Sequence, residues 1–248
     1  MANWTRDELL AALNLYHRTP FGRQHQNYSP VIALAERIGR TPSALAMKLN
    51  NFTSLDPLEQ ARGIKGLSGA SKADRAIWTE FTNRMSDLAD ESEAALERFG
   101  IVADAPLGTP PSGPSEASAV VRIRRHQRFF RQTVLTSYEQ RCCVTGNPIP
   151  DLLIASHIVR WADDEEHRVN PRNGLCLAAT IDSAFERGLI ALDDNYRILT
   201  SPRIREFLPN EELERTFVGY EGMEIRLPPK NLPDSKLLAA HRKRHDFA

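Results

Sequence analysis

A proline- and glycine-rich stretch at residues 103–117 divides the 248-residue chain. This stretch, ADAPLGTPPSGPSEA, contains four prolines and two glycines and hardly any large apolar side chain. Such a composition is typical of a linker. It predicts an N-terminal domain over residues 1–102 and a C-terminal domain over residues 118–248, and each is long enough to bury a core.

Apolar side chains recur at helical spacing through the first hundred residues. Thr5 and Glu8 have the spacing of a capping box before the first helix. A second helix is expected up to Ile38, and a third begins at Thr41-Pro42, since proline is tolerated at the first helical position. One further helix is expected over 72–99. The N-terminal domain is therefore predicted to be helical.

The segment LAERIGRTPSALAMKL resembles a helix-turn-helix, with Gly39 in the turn. In that interpretation the second helix reads DNA. The candidate DNA contacts near its start are Arg40, Thr41, Ser43 and Lys48. An ordinary helical hairpin inside a bundle, or a module that binds a protein partner, would give the same pattern.

The C-terminal domain is predicted to mix helices with short strands, which makes the whole chain α+β. A helix is expected over about 116–139, short β pieces at 143–144 and 152–154, and a helix from Leu175 past Phe185. Two apolar runs, 189–192 and 197–199, flank Asp193-Asp194-Asn195, which predicts a hairpin. A basic helix is expected at 236–247.

The first of these helices is basic although the formal net charge of the chain is zero. Between residues 118 and 145 only Glu139 offsets six arginines, which are Arg122, Arg124, Arg125, Arg128, Arg131 and Arg141. A local excess of this kind can contact phosphates, and we take Arg124 and Arg128 as candidate DNA contacts. A solvated helix face is the alternative.

Three polar residues follow one another in order through residues 140–200. They are His157 in Ala-Ser-His-Ile, Asn173 in Arg-Asn-Gly-Leu, and Asp182 nine positions later, followed by Phe185 and Gly188. In this order and spacing the segment resembles the ββα-metal module of the HNH endonucleases. The resemblance implies a β-hairpin carrying the histidine, a loop carrying the asparagine, and a helix carrying the third residue.

The implied chemistry is hydrolysis of a DNA phosphodiester with one divalent ion per site. His157 is the candidate general base, since neutral imidazole suits that task near pH 7. Asp182 is a hard oxygen ligand, which favours Mg²⁺ or Mn²⁺. Glu186, at i+4 on the same face, either joins the ligands or is a surface acid. Asn173 either ligates the metal through its amide oxygen or holds the loop behind His157.

Three features depart from the wider family pattern. The usual third histidine is Asp182 here, which keeps a metal ligand but changes its type. Many members place an acid or histidine before the base, whereas this chain has Ser156, a poor metal ligand. Many members also bind a structural zinc through two Cys-x-x-Cys pairs. Here Cys143 and Cys176 lack the second cysteine of each pair, so we expect no structural zinc and cysteines that pack in a core.

The arginines nearest the motif are candidates for gripping the DNA backbone, because arginine binds phosphate through two hydrogen bonds at once. We take Arg160, Arg172 and Arg187 for this role, while Arg168 and others are also able to pair with the acidic run 163–166.

Restriction of foreign or modified DNA is the setting that the resemblance implies. The alternatives are an inactive DNA-binding regulator, and a nuclease gated by a protein partner through the N-terminal domain.

Composition and cysteine usage bear on the surroundings of the protein. The hydrophobic fraction of 41% and charged fraction of 26% are typical of soluble globular proteins. No apolar run is long enough to cross a membrane and the N-terminus lacks a secretory pattern. Three cysteines, two of them adjacent, suit a reducing cytoplasm better than a disulfide framework. DNA is the expected partner, and a homodimer would supply two cutting sites.

Overall fold

The computed structural model describes residues 3–101 and 114–247, with side chains from residue 119 in the second range. The chain forms two compact units that meet in sequence at Phe129 and Phe130. This point lies inside one long helix, α7 (Pro114–Ser137), so each unit holds part of it. Residues 103–113 of the predicted linker lie outside the described residues, residues 114–117 belong to α7 and not to a linker, and the domain boundaries drawn there remain a prediction.

The first unit is helical in its described residues. Its helices before α7 are α1 (Arg6–Arg18), α2 (Ser29–Arg37), α3 (Pro42–Thr53), α4 (Pro57–Ala61), α5 (Lys72–Phe81) and α6 (Met85–Arg98). The capping box predicted at Thr5 and Glu8 is confirmed, because each side chain bonds to the other's backbone N–H. Gly39 has φ +68° between α2 and α3. The helix-turn-helix interpretation of this pair stays a prediction.

The expectation of one helix over 72–99 is wrong. The structure has two helices, α5 and α6, separated by residues 82–84. The apolar stripe continues across the break, since Phe81 and Leu88 are both buried in the same core. Spacing alone therefore gave no sign of the interruption.

The core of the first unit is centred on Tyr16, which is fully buried. Its ring meets Phe52 and Trp78 edge-on, with centroids 5.9 and 5.6 Å apart. Its hydroxyl donates to Asp56 Oδ2 at 2.6 Å, so the one polar atom of the ring has a partner.

The second unit contains two small antiparallel sheets. In the first, β1 (Leu153–His157) pairs with β2 (Gly174–Ala178), and α8 (Ala179–Glu186) follows directly. In the second, β3 (Ile190–Leu192) pairs with β4 (Ile198–Thr200), which confirms the predicted hairpin. The remaining helices are α9 (Pro202–Arg205), α10 (Glu211–Thr216) and α11 (Ser235–Arg244). The α+β class is confirmed by this mixture.

The expectation of a helix beginning at Leu175 is wrong, because Leu175 to Leu177 lie in β2 and helix α8 begins only at Ala179. All three of these strand residues are buried. A strand that is buried on both faces has a continuous apolar sequence. Such a sequence does not distinguish a buried strand from a buried helix.

Helix α11 packs on the end of α8. Leu237 and Leu238 join the second core, and the ring of His241 stacks on Phe185 with centroids 3.8 Å apart. The described part of the chain has no helix with the length and apolar character needed to cross a membrane.

Candidate functional site

The β1–β2 hairpin places His157 directly opposite Gly174. A Cβ atom added at Gly174 would lie 2.3 Å from Val134 Cγ2 and 3.0 Å from Phe130 Cζ. Only glycine leaves room for α7 to approach the hairpin this closely. The small residue therefore sets the contact between α7 and the strand end that carries His157.

The imidazole of His157 is held on two sides. It stacks on Phe130, with ring centroids 3.8 Å apart and planes 9° apart. Its Nε2 lies 2.9 Å from the backbone oxygen of Arg168. Because a carbonyl oxygen only accepts, Nε2 carries the proton when the ring is neutral, and Nδ1 then has a free lone pair. Such a nitrogen can accept a proton from water.

The electrostatics of the site favour neutral His157. Burial lowers the pKa of His157 below its usual 6.5, and the hydrogen bond to Arg168 and the charge of Glu186 offset only part of that shift. A histidine that is neutral at pH 7 has the protonation state that a general base needs.

The loop between β1 and β2 is fastened by Asn173, which is fully buried. Its Oδ1 accepts from the backbone N–H of Val159 at 2.8 Å. Its Nδ2 donates to the carbonyls of Val159 and His167, at 3.0 and 3.2 Å. Asn173 thus holds the loop whose Arg168 carbonyl fixes His157. Of its two predicted roles, these bonds support holding the loop.

The wall beside His157 is formed by Trp161 and Arg168. The indole meets the imidazole edge-on at 5.7 Å, and the guanidinium of Arg168 lies over the indole at 5.6 Å. Arg168 Nε also donates to the Trp161 carbonyl at 2.7 Å. Sequence reasoning gave Trp161 and Phe130 no part in the site and named Arg168 only as an arginine of the motif able to pair with the acidic run 163–166, where it contacts Glu165 at 3.1 Å. A backbone carbonyl comes with any residue, so no sequence signal pointed to the one at Arg168.

Helix α8 carries the two candidate carboxylates. Asp182 is partly buried in the first turn, and within the described chain no hydrogen bond or ion pair engages it. Glu186 Oε1 lies 2.5 Å from Arg160 Nε, as an ion pair. The structure therefore leaves the Asp182 carboxylate available and gives Glu186 a cation partner.

Ser156 is buried, with 3% of its surface exposed. Successive side chains of a strand point to opposite faces, so Ser156 and His157 do not share a face of β1. The hydroxyl is thus directed away from the face on which His157 lies.

The two carboxylates of α8 suit only one kind of metal site. Across residues 3–101 and 114–247 no three His, Cys, Asp or Glu side chains come together as a cage for a metal ion. Mg²⁺, however, is commonly held by one or two carboxylates and completes its shell with water and substrate oxygens. Asp182, with Glu186 one turn away, fits that weaker kind of site, whereas a site for zinc would need more and softer ligands.

The three cysteines are buried as free thiols. The N–H of Cys143 donates to the Cys176 carbonyl at 2.8 Å, so the segment before β1 is joined to β2. Burial raises the pKa of Cys176 to about 12 and also raises that of Cys143. These residues therefore remain neutral and pack in the core.

The arginines of the motif have different surroundings. Arg160 pairs with Glu186, and Arg172 pairs with Asp234 at 3.1 Å. Arg187 is exposed, and within the described residues its side chain bonds Ser183 alone, through the carbonyl and the hydroxyl of that residue. Arg187 thus keeps an uncompensated charge in the described part of the unit.

On α7, the basic run is engaged with acids of α6. Arg128 lies 2.8 Å from Glu97 and 3.4 Å from Glu93, and Arg125 pairs with Glu97 and Asp90. The hydrogen bond from Arg125 contributes most to lowering the pKa of Glu97. Arg124 is partly buried. Arg128 is therefore largely neutralised within the first unit.

The candidate DNA contacts on α3 and just before it also have partners within the first unit. Lys48 is buried, with Nζ 2.5 Å from Asp74, and Arg40 holds Glu8 at 2.8 Å. The Thr41 hydroxyl accepts from the N–H of Ala44, which caps the helix, and lies 3.1 Å from Ser43. The face of α3 that remains exposed is formed by Thr41, Ser43 and Met47, none of them charged.

Two comparisons bear on this site. Residues 142–193 match the model of a protein family described as HNH endonuclease. The matched segment covers about a fifth of the chain and includes His157, Asn173, Asp182 and Glu186. No curated protein matches the chain.

Proposed function

We propose that this chain hydrolyses DNA phosphodiester bonds with the help of a divalent metal ion, and the match of residues 142–193 to the HNH endonuclease family model supports this proposal. The observation that carries the proposal is the fixed imidazole of His157. Its Nε2 is committed to the Arg168 carbonyl, its Nδ1 has no hydrogen-bond partner among the described residues, and burial favours the neutral ring.

In this mechanism Nδ1 of His157 takes a proton from the attacking water. Phe130 and the Arg168 carbonyl keep the ring oriented, so little reorganisation is needed during the reaction. Asn173 acts indirectly, because it holds the loop whose Arg168 carbonyl bonds the imidazole. These parts all belong to the second unit.

Nucleases of this family generally use divalent metal ions. In this chain Asp182 would hold the ion, with Glu186 as a second ligand after release from Arg160. When bound there, Mg²⁺ or Mn²⁺ would supply positive charge for the phosphate and the leaving oxygen.

The proposed substrate is duplex DNA, with Arg160, Arg172 and Arg187 near its backbone. Cutting both strands would take two copies of the chain, as in a homodimer. We extend the proposal to restriction of foreign or modified DNA on the strength of the family resemblance, with the helical domain over residues 1–102 supplying discrimination.

Two observations favour alternatives. In the described residues the carboxylates do not form a three-ligand cage, which suits an inactive regulator that binds DNA. The exposed face of α3 is uncharged, with Met47 59% exposed, which suits a first unit that binds protein and gates the nuclease.

Nicking of supercoiled plasmid separates these functions. Purified protein is incubated with Mg²⁺, Mn²⁺ or a chelator, beside His157→Ala protein made in the same way. We expect metal-dependent nicking that the substitution removes. Binding of plasmid without nicking by either protein would favour the regulator, and nicking that persists in chelator would overturn the metal requirement.

A further inference from the structure

The end of α8 is joined to the start of α9 by two hydrogen bonds. The N–H of Ser201 donates to the Leu189 carbonyl at 2.8 Å, and Nη2 of Arg203 donates to the Arg187 carbonyl at 2.9 Å. Gly188, between Arg187 and Leu189, makes the turn after α8 with φ +62° and leaves no space for a side chain next to the ring of His245. The guanidinium of Arg203 is thereby fixed against the backbone of Arg187, although sixteen positions separate the two residues.

Most arginines around this point are paired with a carboxylate. Arg160 holds Glu186, Arg205 holds Glu221 at 2.8 Å, and Arg244 holds Asp163 at 2.7 Å. Arg187 and Arg203 differ, because in the described chain their hydrogen-bond partners are neutral oxygens. Both are exposed. A guanidinium has five N–H donors, so each retains several for an anion.

This pair of cations borders the candidate site. Arg187 bonds Ser183, the neighbour of Asp182 in sequence. On α8 the positions 182 and 186 form one row, and 183 and 187 form the next row, about 100° around the helix. A phosphate held by Arg187 and Arg203 would therefore lie close to the carboxylate row.

We propose that Arg187 and Arg203 form a phosphate-binding pair that holds the DNA backbone next to the bond being cut. The inference rests on the proposed function. It adds a residue, Arg203, that lies outside the matched segment 142–193. The two side chains come from different elements, so their spacing is set by the α8–α9 junction and not by one helix.

The test measures how DNA affinity depends on salt. Each phosphate contact that is lost reduces the slope of log affinity against log salt by about one. All variants are made in full-length His157→Ala protein, so that binding is measured without cutting. Fluorescence anisotropy of a labelled mixed-sequence duplex is recorded over a series of NaCl concentrations.

Arg205 provides a matched control for Arg203. It lies on the same short helix and is exposed, but its charge is already paired with Glu221. We expect Arg203→Ala and Arg187→Ala each to lower the salt slope by about one. Arg205→Ala should leave it unchanged, and Arg203→Lys should keep most of the slope because the charge remains.

If Arg203 has only a structural role and does no more than donate to the Arg187 carbonyl, a different result is expected. Arg203→Ala would then lower the melting temperature and leave the salt slope at its starting value, which would overturn the pair while plasmid nicking by the unmodified protein continued. Absence of both DNA binding and nicking in the unmodified protein would instead overturn the proposed function, and the pair with it.

Discussion

The rings of Phe130 and His157 lie face to face, with centroids 3.8 Å apart and planes 9° apart. Phe130 comes from α7 and His157 from the end of β1, so the contact joins two elements that are distant in sequence. It covers one face of the imidazole and leaves the ring edge, with Nδ1, for chemistry. The orientation of the proposed base thus depends on packing as well as on hydrogen bonding.

Replacing His157 by alanine should abolish nicking and preserve DNA binding. Loss of a general base costs about 10²–10⁴ in rate, whereas the arginines proposed to contact phosphate remain. The measurement is plasmid nicking beside duplex binding by anisotropy. Nicking at the rate of the unmodified protein would show that another group is the base.

The rate of nicking should keep its full value to a lower pH than an ordinary histidine allows. The base must be neutral, and burial holds the pKa of His157 below 6.5, so kcat/KM should decline only below that pH. Phe130→Leu removes the stacked ring and should move the decline toward higher pH. A decline at the same pH in both proteins would mean that Phe130 does not influence the base.

Asp182→Ala should weaken Mn²⁺ binding and nicking together. Asp182 is the carboxylate of α8 that has no partner in the described chain, so it is the most available hard oxygen. Calorimetric titration with Mn²⁺ gives the affinity, and Asp151→Ala, at an exposed acid before β1, is the control. Equal affinity in both variants would remove Asp182 from the metal site.

Asn173→Ala should reduce nicking without weakening metal binding. It removes three hydrogen bonds at a fully buried position, which is expected to cost on the order of 3 kcal/mol of unfolding free energy. Chemical denaturation and Mn²⁺ titration check the two effects. A variant as stable as the unmodified protein but with weakened metal affinity would identify Asn173 as a ligand instead.

Stability should fall as the solution is acidified from pH 6.5 toward pH 4, in part because of His241. Burial lowers the pKa of His241 from 6.5 to about 4, so in this window the unfolded chain binds a proton that the folded chain does not. The loss amounts to at most about 3 kcal/mol at the lower end. His241→Gln should show a shallower decline in melting temperature, and an equally steep one would exclude this histidine as a cause.

The sequence predicted the parts of the fold that have local signals. The hairpin β3–β4 followed from Asp193-Asp194-Asn195 between two apolar runs, and the start of α1 from Thr5 and Glu8. It failed at β2, where the apolar run from Leu175 to Leu177 fits a buried strand or a buried helix equally well. It also failed at residues 82–84, where the apolar stripe continues through a break.

The candidate site was predictable only in its side chains. The order and spacing of His157, Asn173 and Asp182 along the chain were enough to indicate the chemistry. The support of His157 was not predictable, because it comes from a ring on α7 and from a backbone carbonyl. The availability of a charge is likewise a tertiary property, as Lys48 and Arg128 show by pairing with acids far away in sequence.

The ion pairs between α6 and α7 also bear on how fast the protein meets DNA. Arg125 and Arg128 are matched by Asp90, Glu93 and Glu97. Electrostatic steering of a diffusing partner depends on charge that is not cancelled at short range. Arg125 and Arg128 would therefore contribute little to the rate at which the proposed nuclease meets DNA, and steering would depend on other cations of the described chain.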